Sequence, residues 1–415
     1  MFDSRFVRNT ITMVLGASLA QIIPILVTPI LTRLYTPEEF GVLALFIALT
    51  SILGSIASGR YELAIILPED DVDAINVAAL CLLLASMFSF LLLIPVFVFN
   101  SQITNLLGSD EIGNWLYLVP FVVLVIALNN VLNYLNTRKT LYKDVSKTKV
   151  YKSIVMSALQ LLLGFMKAGS IGLVVGNFVS LIFSNVRLIM NVFNFYEIKN
   201  GLGVSGVREV SVRYSSFPRY MMPATFFNTS SSKVLEFGLP VIYSLSTLGF
   251  YFIVQRILAT PASFIGGAVA QVFFQNLSVL VKDQERFRAK FWKVLGTLAV
   301  ISIVMFSTLY LIIVDLFVLV FGDGWQIAGE MARVIIPLFA IQFVVSPLTS
   351  VNQVLENTGI VLLWQILLFI SYVLIVFNAY VSSVPFMELL EHVSVIISLC
   401  YAFYLIVIVV VVERG

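Results

Sequence analysis

Gly59-Arg60-Tyr61-Glu62-Leu63-Ala64-Ile65-Ile66-Leu67-Pro68 sets an arginine and a glutamate between two long apolar runs. Ionisable side chains at membrane depth are expensive. They are tolerated where they face a protein interior or a water-filled cavity, or where a helix end is near enough for them to snorkel into water. Arg60 and Glu62 therefore admit two readings. In one, Arg60 stands at the mouth or wall of a central cavity and meets an anionic ligand, with Glu62 beside it as a candidate coupling carboxylate. In the other, both residues only mark the cytoplasmic end of the second apolar segment, where they meet water.

The chain around this stretch fixes the class. Of 415 residues, 60% are hydrophobic and 12% charged, with a mean hydropathy of +1.00; soluble domains carry about 25% charged residues. The chain reads as an all-α polytopic membrane protein. A net charge of +2 without any Lys/Arg-rich arm offers nothing to nucleic acid. Cys81 and Cys400 lie far apart inside apolar runs, and His392 has no Cys or His near it, so neither a disulfide framework nor a metal site follows. The first apolar run, Ile11 to Leu34, is longer than the roughly 7–15 residues of a signal-peptide core and reads as an uncleaved membrane helix.

Spans of about 20 apolar residues are needed to cross a bilayer. Twelve are expected, at 9–34, 41–58, 74–99, 113–135, 150–166, 169–192, 216–243, 247–276, 291–314, 328–351, 359–381 and 387–411. Pro24, Pro29, Pro120, Pro223, Pro261, Pro337 and Pro347 fall inside them and are expected to kink them. Positive charge sets the orientation. With Arg5 and Arg8 inside, the cytoplasmic loops carry Lys139, Lys143 and Lys147, then Lys199, Arg208 and Arg213, then Lys282, Arg286 and Lys290. The opposite loops carry Asp110, Glu111, Asp315 and Asp323 instead. Both termini are thus expected in the cytoplasm.

The loop at 195–215 divides the chain into a first lobe, 1–194, and a second, 216–415, of six helices each. The halves are weakly alike. Thr36-Pro37-Glu38-Glu39-Phe40-Gly41 enters the second segment and Ser246-Thr247-Leu248-Gly249-Phe250-Tyr251 the eighth; Leu107-Gly108 precedes Pro120 as Phe321-Gly322 precedes Pro337. Parallel repeats of this kind place a substrate site between them.

Arg60, Arg187, Lys233 and Arg256 are four basic residues within or beside apolar spans. Arg187 is near enough to a helix end to snorkel. Lys233 and Glu236, at i and i+3, share a helix face and form either a neutralised structural pair or a cavity lysine with a titrating carboxylate. Arg256, near mid-span, favours a cavity. Guanidinium donors match phosphate oxygens geometrically, so a lipid pyrophosphate or an acidic sugar suits Arg60, Arg256 and Lys233 as a binding set. Amides such as Asn129, Asn133, Gln160 and Gln342 either bond between helices or face sugar hydroxyls. Asp71-Val72-Asp73 has the Asp-x-Asp spacing by which many sugar-nucleotide transferases hold a divalent metal; the competing reading is a solvated turn whose acids favour the N-terminus of the third segment. No other catalytic motif is present, no loop is long enough for an ATPase or transferase domain, and no cofactor is expected.

Several motifs together resemble one family. Arg8-Asn9-Thr10, Thr32-Arg33-Leu34-Tyr35-Thr36-Pro37-Glu38-Glu39-Phe40-Gly41 and Gly59-Arg60-Tyr61-Glu62-Leu63-Ala64 resemble the N-terminal half of Wzx-type polysaccharide flippases. Tyr220-Met221-Met222-Pro223-Ala224-Thr225, Gln271-Val272-Phe273-Phe274-Gln275 and Phe321-Gly322-Asp323-Gly324-Trp325 resemble their C-terminal half. These O-antigen and oligosaccharide flippases belong to the MOP superfamily with the MATE antiporters and the peptidoglycan lipid flippases. The resemblance implies two six-helix lobes in a V shape and alternating access. It also implies transfer of an undecaprenyl-pyrophosphate-linked oligosaccharide across the bacterial inner membrane, without covalent chemistry. Membrane lipids, protons or sodium, and other polysaccharide-assembly proteins are the partners it suggests. A MATE-like exporter of small amphiphilic cations is the competing function, although Glu236 is the one acid placed well inside a span.

Overall fold

The computed structural model describes residues 4–195, 202–280, 283–355 and 357–414, and the side chains of most of them, those of 4–15 and of several positions between 261 and 279 excepted. The Arg8-Asn9-Thr10 and Gln271–Gln275 motifs thus lie largely outside the described side chains. All regular elements among the described residues are helical. Among the described residues, twelve helices of 20 residues or more carry the fold. They are α1 (Ser4–Leu34), α2 (Pro37–Ile56), α3 (Asp71–Val98), α4 (Val119–Arg138), α5 (Tyr142–Phe165) and α6 (Ser170–Phe195), then α7 (Met222–Ile242), α8 (Leu245–Leu280), α9 (Gln284–Phe321), α10 (Gln326–Leu348), α11 (Thr358–Ser382) and α12 (Phe386–Arg414). Among the described residues nine are long and apolar enough to cross a membrane. The three not among them are α5, which opens on Lys143 and Asp144, α7, rich in Ser, Thr and Asn, and α8, whose fully described apolar stretch is Leu245–Thr260. The protein is a multi-pass membrane protein.

Local chemistry explains where the helices begin. Thr36 and Glu39 form a reciprocal capping box at the start of α2: the Thr36 hydroxyl accepts from the Glu39 amide at 3.3 Å, and the Glu39 carboxylate accepts from the Thr36 amide at 2.8 Å. Pro37 takes the first helical position, where its missing N–H costs nothing. The same rule corrects one expectation: Pro120 stands in the first turn of α4 rather than inside it, whereas Pro223 follows a π-helical turn, Phe217–Met221, that runs directly into α7. Pro24, Pro29, Pro337 and Pro347 are interior, as are Pro95 and Pro240. The fourth expected segment also divides, because a short helix, Ile112–Leu116, precedes α4.

Two compact units partition the chain, Met1–Gly249 and Phe250–Gly415. In the first, α1 packs on α5 and α5 on α6, while α4 contacts α2, α3 and α6. Asn129 of α4 donates to Ser184 and Asn185 of α6, and Asn191 of α6 donates to Asn136, so polar side chains bond between these helices. The 195–215 connection holds a helix, Val204–Arg213, that packs on α3; its Val210 is fully buried and Gly206 abuts the Asn76 side chain. Helix α7 packs on α2, and the first turn of α8 crosses α2 closely. A Cβ on Gly41 would meet the carbonyl of Leu245, and one on Gly249 would meet the carbonyl of Pro37. The Ser246 hydroxyl donates to Glu38 beside that crossing. The compact-unit boundary therefore falls in α8, after the 195–215 connection. In the second unit α10 packs on α9 and α12, and α11 on α12.

Candidate functional site

Helix α2 stops at Ile56, and Gly59 and Arg60 both take left-handed backbone, with φ of 63° and 62°. Glycine adopts this without cost; arginine does not, and the strain is of order 1–2 kcal/mol. It reverses the chain into a 3-10 turn, Tyr61–Ile66, which packs on α3 and α4. Tyr61, Ala64 and Ile65 then join a core with Ile75, Cys81, Val131 and Val210. The Tyr61 hydroxyl donates to the Ser211 carbonyl at 2.9 Å, and burial holds its phenol above the ordinary value, as a neutral donor.

This turn delivers Glu62 to the interior. Its side chain is 0% exposed and accepts from the Ser58 hydroxyl at 2.5 Å and from Arg60 Nη1 at 2.9 Å. Glu62 does not meet water. The Arg60 side chain stays 21% exposed, and its Nε is buried without a partner among the described residues. One edge of the guanidinium is thus tied down by Glu62 while further donors remain. Such a group can grip a planar or tetrahedral anion.

Asp71 and Asp73, in the acidic run after this turn, are engaged by cations. Arg138, at the end of α4, donates to the carbonyls of Ile65, Ile66, Pro68 and Glu69 and to Asp71 Oδ1 at 3.1 Å. Lys139 also reaches Asp71, and Arg213 reaches Asp73 at 2.6 Å and Glu209 at 2.5 Å. These partners push the Arg213 guanidinium further up in pKa. Asp71 and Asp73 are thus ion-paired to opposite elements and do not converge as a metal-binding pair; among the described residues no cluster suited to a metal occurs.

Lys233 and Glu236 of α7 pair at 2.6 Å. The Glu236 side chain is 8% exposed, and its Oε2 is buried without a partner among the described residues. Both residues belong to the first compact unit, as do Arg60 and Glu62. Arg256 lies in the second; it is half-buried, and the described residues give it no carboxylate partner, while its carbonyl accepts from Thr260 at 2.6 Å. Arg187 stacks over the Tyr151 ring at 4.5 Å, a cation–π contact that accounts for its place in α6. Sequence inspection missed Ser58, although it stands four residues before Glu62. It also missed Arg138, whose role was hidden in a run of loop cations.

Residues 30–330 match the family described as polysaccharide biosynthesis protein. The chain belongs to that family. A family relative, the "Uncharacterized membrane protein in cps region" of Klebsiella pneumoniae, is 21% identical over 77% of this chain and 65% of its own length. A second, the succinoglycan biosynthesis transport protein ExoT of Rhizobium meliloti strain 1021, is 25% identical over 72% of this chain. The match spans 59% of ExoT, so the chain covers under two thirds of both relatives. Among solved structures, the lipid II flippase MurJ in its inward closed conformation has a TM-score of 0.69 at 14% identity, covering 96% of this chain and 87% of its own. The inward-facing conformation of a MATE multidrug transporter of the MOP superfamily has a TM-score of 0.63 at 13% identity, over 97% and 94%. The expected family and the MATE- and MurJ-like all-α fold are therefore the observed ones.

Proposed function

We propose that the protein is a flippase that moves an undecaprenyl-pyrophosphate-linked oligosaccharide from the cytoplasmic to the periplasmic face of the inner membrane. It does so by alternating access and without covalent chemistry, in keeping with ExoT, a transport protein by name, and with the MurJ and MATE folds. The functional lobes are residues 1–194 and 216–415, joined by 195–215, with both termini cytoplasmic. The observation that carries the reading is the Ser58–Glu62–Arg60 arrangement. In a polysaccharide biosynthesis family member, a buried carboxylate holds a strained, partly open arginine at the end of a membrane helix. Backbone strain maintained by surrounding structure points toward function. Arg60, Arg256 and Lys233 bind the anionic head group, and Glu236, with one oxygen unpartnered, is the coupling carboxylate for protons or sodium. Other polysaccharide-assembly proteins hand over and receive the lipid.

The test is complementation of glycan display in a flippase-null strain, with expression checked by blotting. Removing one charged group from a desolvated site costs about 2–5 kcal/mol, and lysine keeps the charge but loses the planar fork. Residual display should fall from wild type to Arg60→Lys to Arg60→Gln, and likewise at Arg256. Full complementation by both Gln variants would end the cationic-site proposal; full complementation by Arg256→Gln alone would confine the site to the first lobe. A MATE-like exporter of small amphiphilic cations is the second reading, favoured by the MATE fold and the buried Glu236. It requires drug efflux that Glu236→Gln abolishes in cells lacking any lipid-linked glycan.

A further inference from the structure

The second compact unit carries a groove of about 750 Å³ between α9, α10 and α12. That volume suits one small amphiphile, since ligand pockets run to about 300–1,000 Å³. The groove opens out of the chain, for Leu399 and Val395 on its α12 wall are 63% and 58% exposed. Its one charged end is formed by Arg333 of α10 and Glu391 of α12. Helices α10 and α12 start on the same side of the membrane, because one helix, α11, lies between them in sequence. Both charges lie within about 10 Å of those starts, at a rise of roughly 1.5 Å per residue. The groove thus has its ions near one membrane surface and its apolar wall, Ile341, Leu399 and Ala402, deeper.

Among the described residues Arg333 and Glu391 have no ion-pair partner, while the adjacent carboxylates Glu330 and Glu388 are engaged by Gln326 and His392. Two further polar groups face the same space. Pro337 lines the groove and has no N–H, so the Arg333 carbonyl, four residues earlier, lacks its helical donor. The Ser398 hydroxyl, also on the wall, is buried without a partner. From Glu391 to Ala402 the α12 wall rises about 16 Å, roughly half of a hydrocarbon core about 30 Å thick.

We propose that this groove binds a zwitterionic aminophospholipid of one leaflet. Its phosphate lies on Arg333, its ammonium lies between Glu391 and the freed Arg333 carbonyl, and an acyl chain runs along α12. A lone arginine would hold any phosphodiester head group, but Glu391 on the same groove attracts an added cation, so the two residues together select a head group bearing both signs. The site is independent of the cargo proposed above.

The full chain, purified in detergent, is incubated with equal amounts of phosphatidylethanolamine, phosphatidylglycerol and undecaprenyl phosphate, and bound lipid is counted by native mass spectrometry. Wild type should retain phosphatidylethanolamine over phosphatidylglycerol by about tenfold, the worth of one charge-assisted contact. Glu391→Gln should erase that preference, Arg333→Gln should lower retention of both phospholipids, and Ala402→Trp should empty the groove with both charges intact. Equal retention of the two phospholipids by wild type, preferential retention of undecaprenyl phosphate, or lipid counts unchanged in Ala402→Trp would each overturn the proposal.

Discussion

At the residue scale, the ion pairs differ in how much they depend on burial. Glu62 is the most enclosed acid of the site, and removing it leaves Arg60 and Ser58 without their acceptor. Breaking a buried pair costs about 3–5 kcal/mol, and partial exposure of Arg60 puts this one near the lower end. Glu62→Ala should therefore reduce the monodisperse fraction in fluorescence-detected size exclusion. The doubly neutral Glu62→Gln/Arg60→Gln variant should recover the fold but not transport. A double variant no better folded than Glu62→Ala would show that the pair is not what holds the turn. Lys233–Glu236 is expected to behave differently. Glu236→Gln should keep its yield and lose the pH dependence of transport; a collapsed yield makes the pair structural, and an unchanged pH profile removes it from coupling.

At the element scale, two contacts hold backbone segments in place. Arg138 fastens the end of the 3-10 turn through four carbonyls and Asp71. Arg138→Lys keeps one positive charge but cannot span those acceptors, and each buried carbonyl left unpaired costs about 1–3 kcal/mol. Faster hydrogen exchange confined to residues 61–70 is expected; unchanged exchange there would make the arginine dispensable. The crossing of α2 with the first turn of α8 rests on Gly41 and Gly249, each against a carbonyl of the other helix. Gly249→Val leaves no room for its side chain at that approach. Transport should be lost with expression retained, and full activity of Gly249→Val would mean the crossing opens freely. That the stretch 36–41 leads into the second helix was legible from sequence, but the helix starts at Pro37, four residues before the expected 41, because the Thr36 capping box extends it. The 3-10 turn was not legible, because Gly59-Arg60 admits a continuing helix until packing against α3 and α4 excludes it.

At the scale of the whole molecule, the asymmetry of loop charge predicts topology directly. A reporter active only in the periplasm should work when fused at Asp323 and fail at Lys147; the reverse pattern would invert the orientation. The twelve long helices follow the expected segments closely, and family membership over residues 30–330 agrees with motifs quoted from both halves. The compact units, however, divide at Gly249, because the Val204–Arg213 helix, α7 and the first turn of α8 all pack with the helices before them.

The sequence alone determined class and family resemblance. Each depends on hydrophobicity summed over about 20 consecutive residues, or on motifs a few residues long, and a bilayer reads such local sums with little help from tertiary contacts. Only the tertiary structure decided which charges are spoken for. Asp71 is neutralised from 67 residues away by Arg138, and Asp73 from 140 away by Arg213, while Tyr61 is anchored by a carbonyl 150 residues distant. Those separations carry no periodicity or motif. They are set by which helices pack together, and that packing separates the paired Asp71 and Asp73 from the half-open guanidinium of Arg60 a few residues before them.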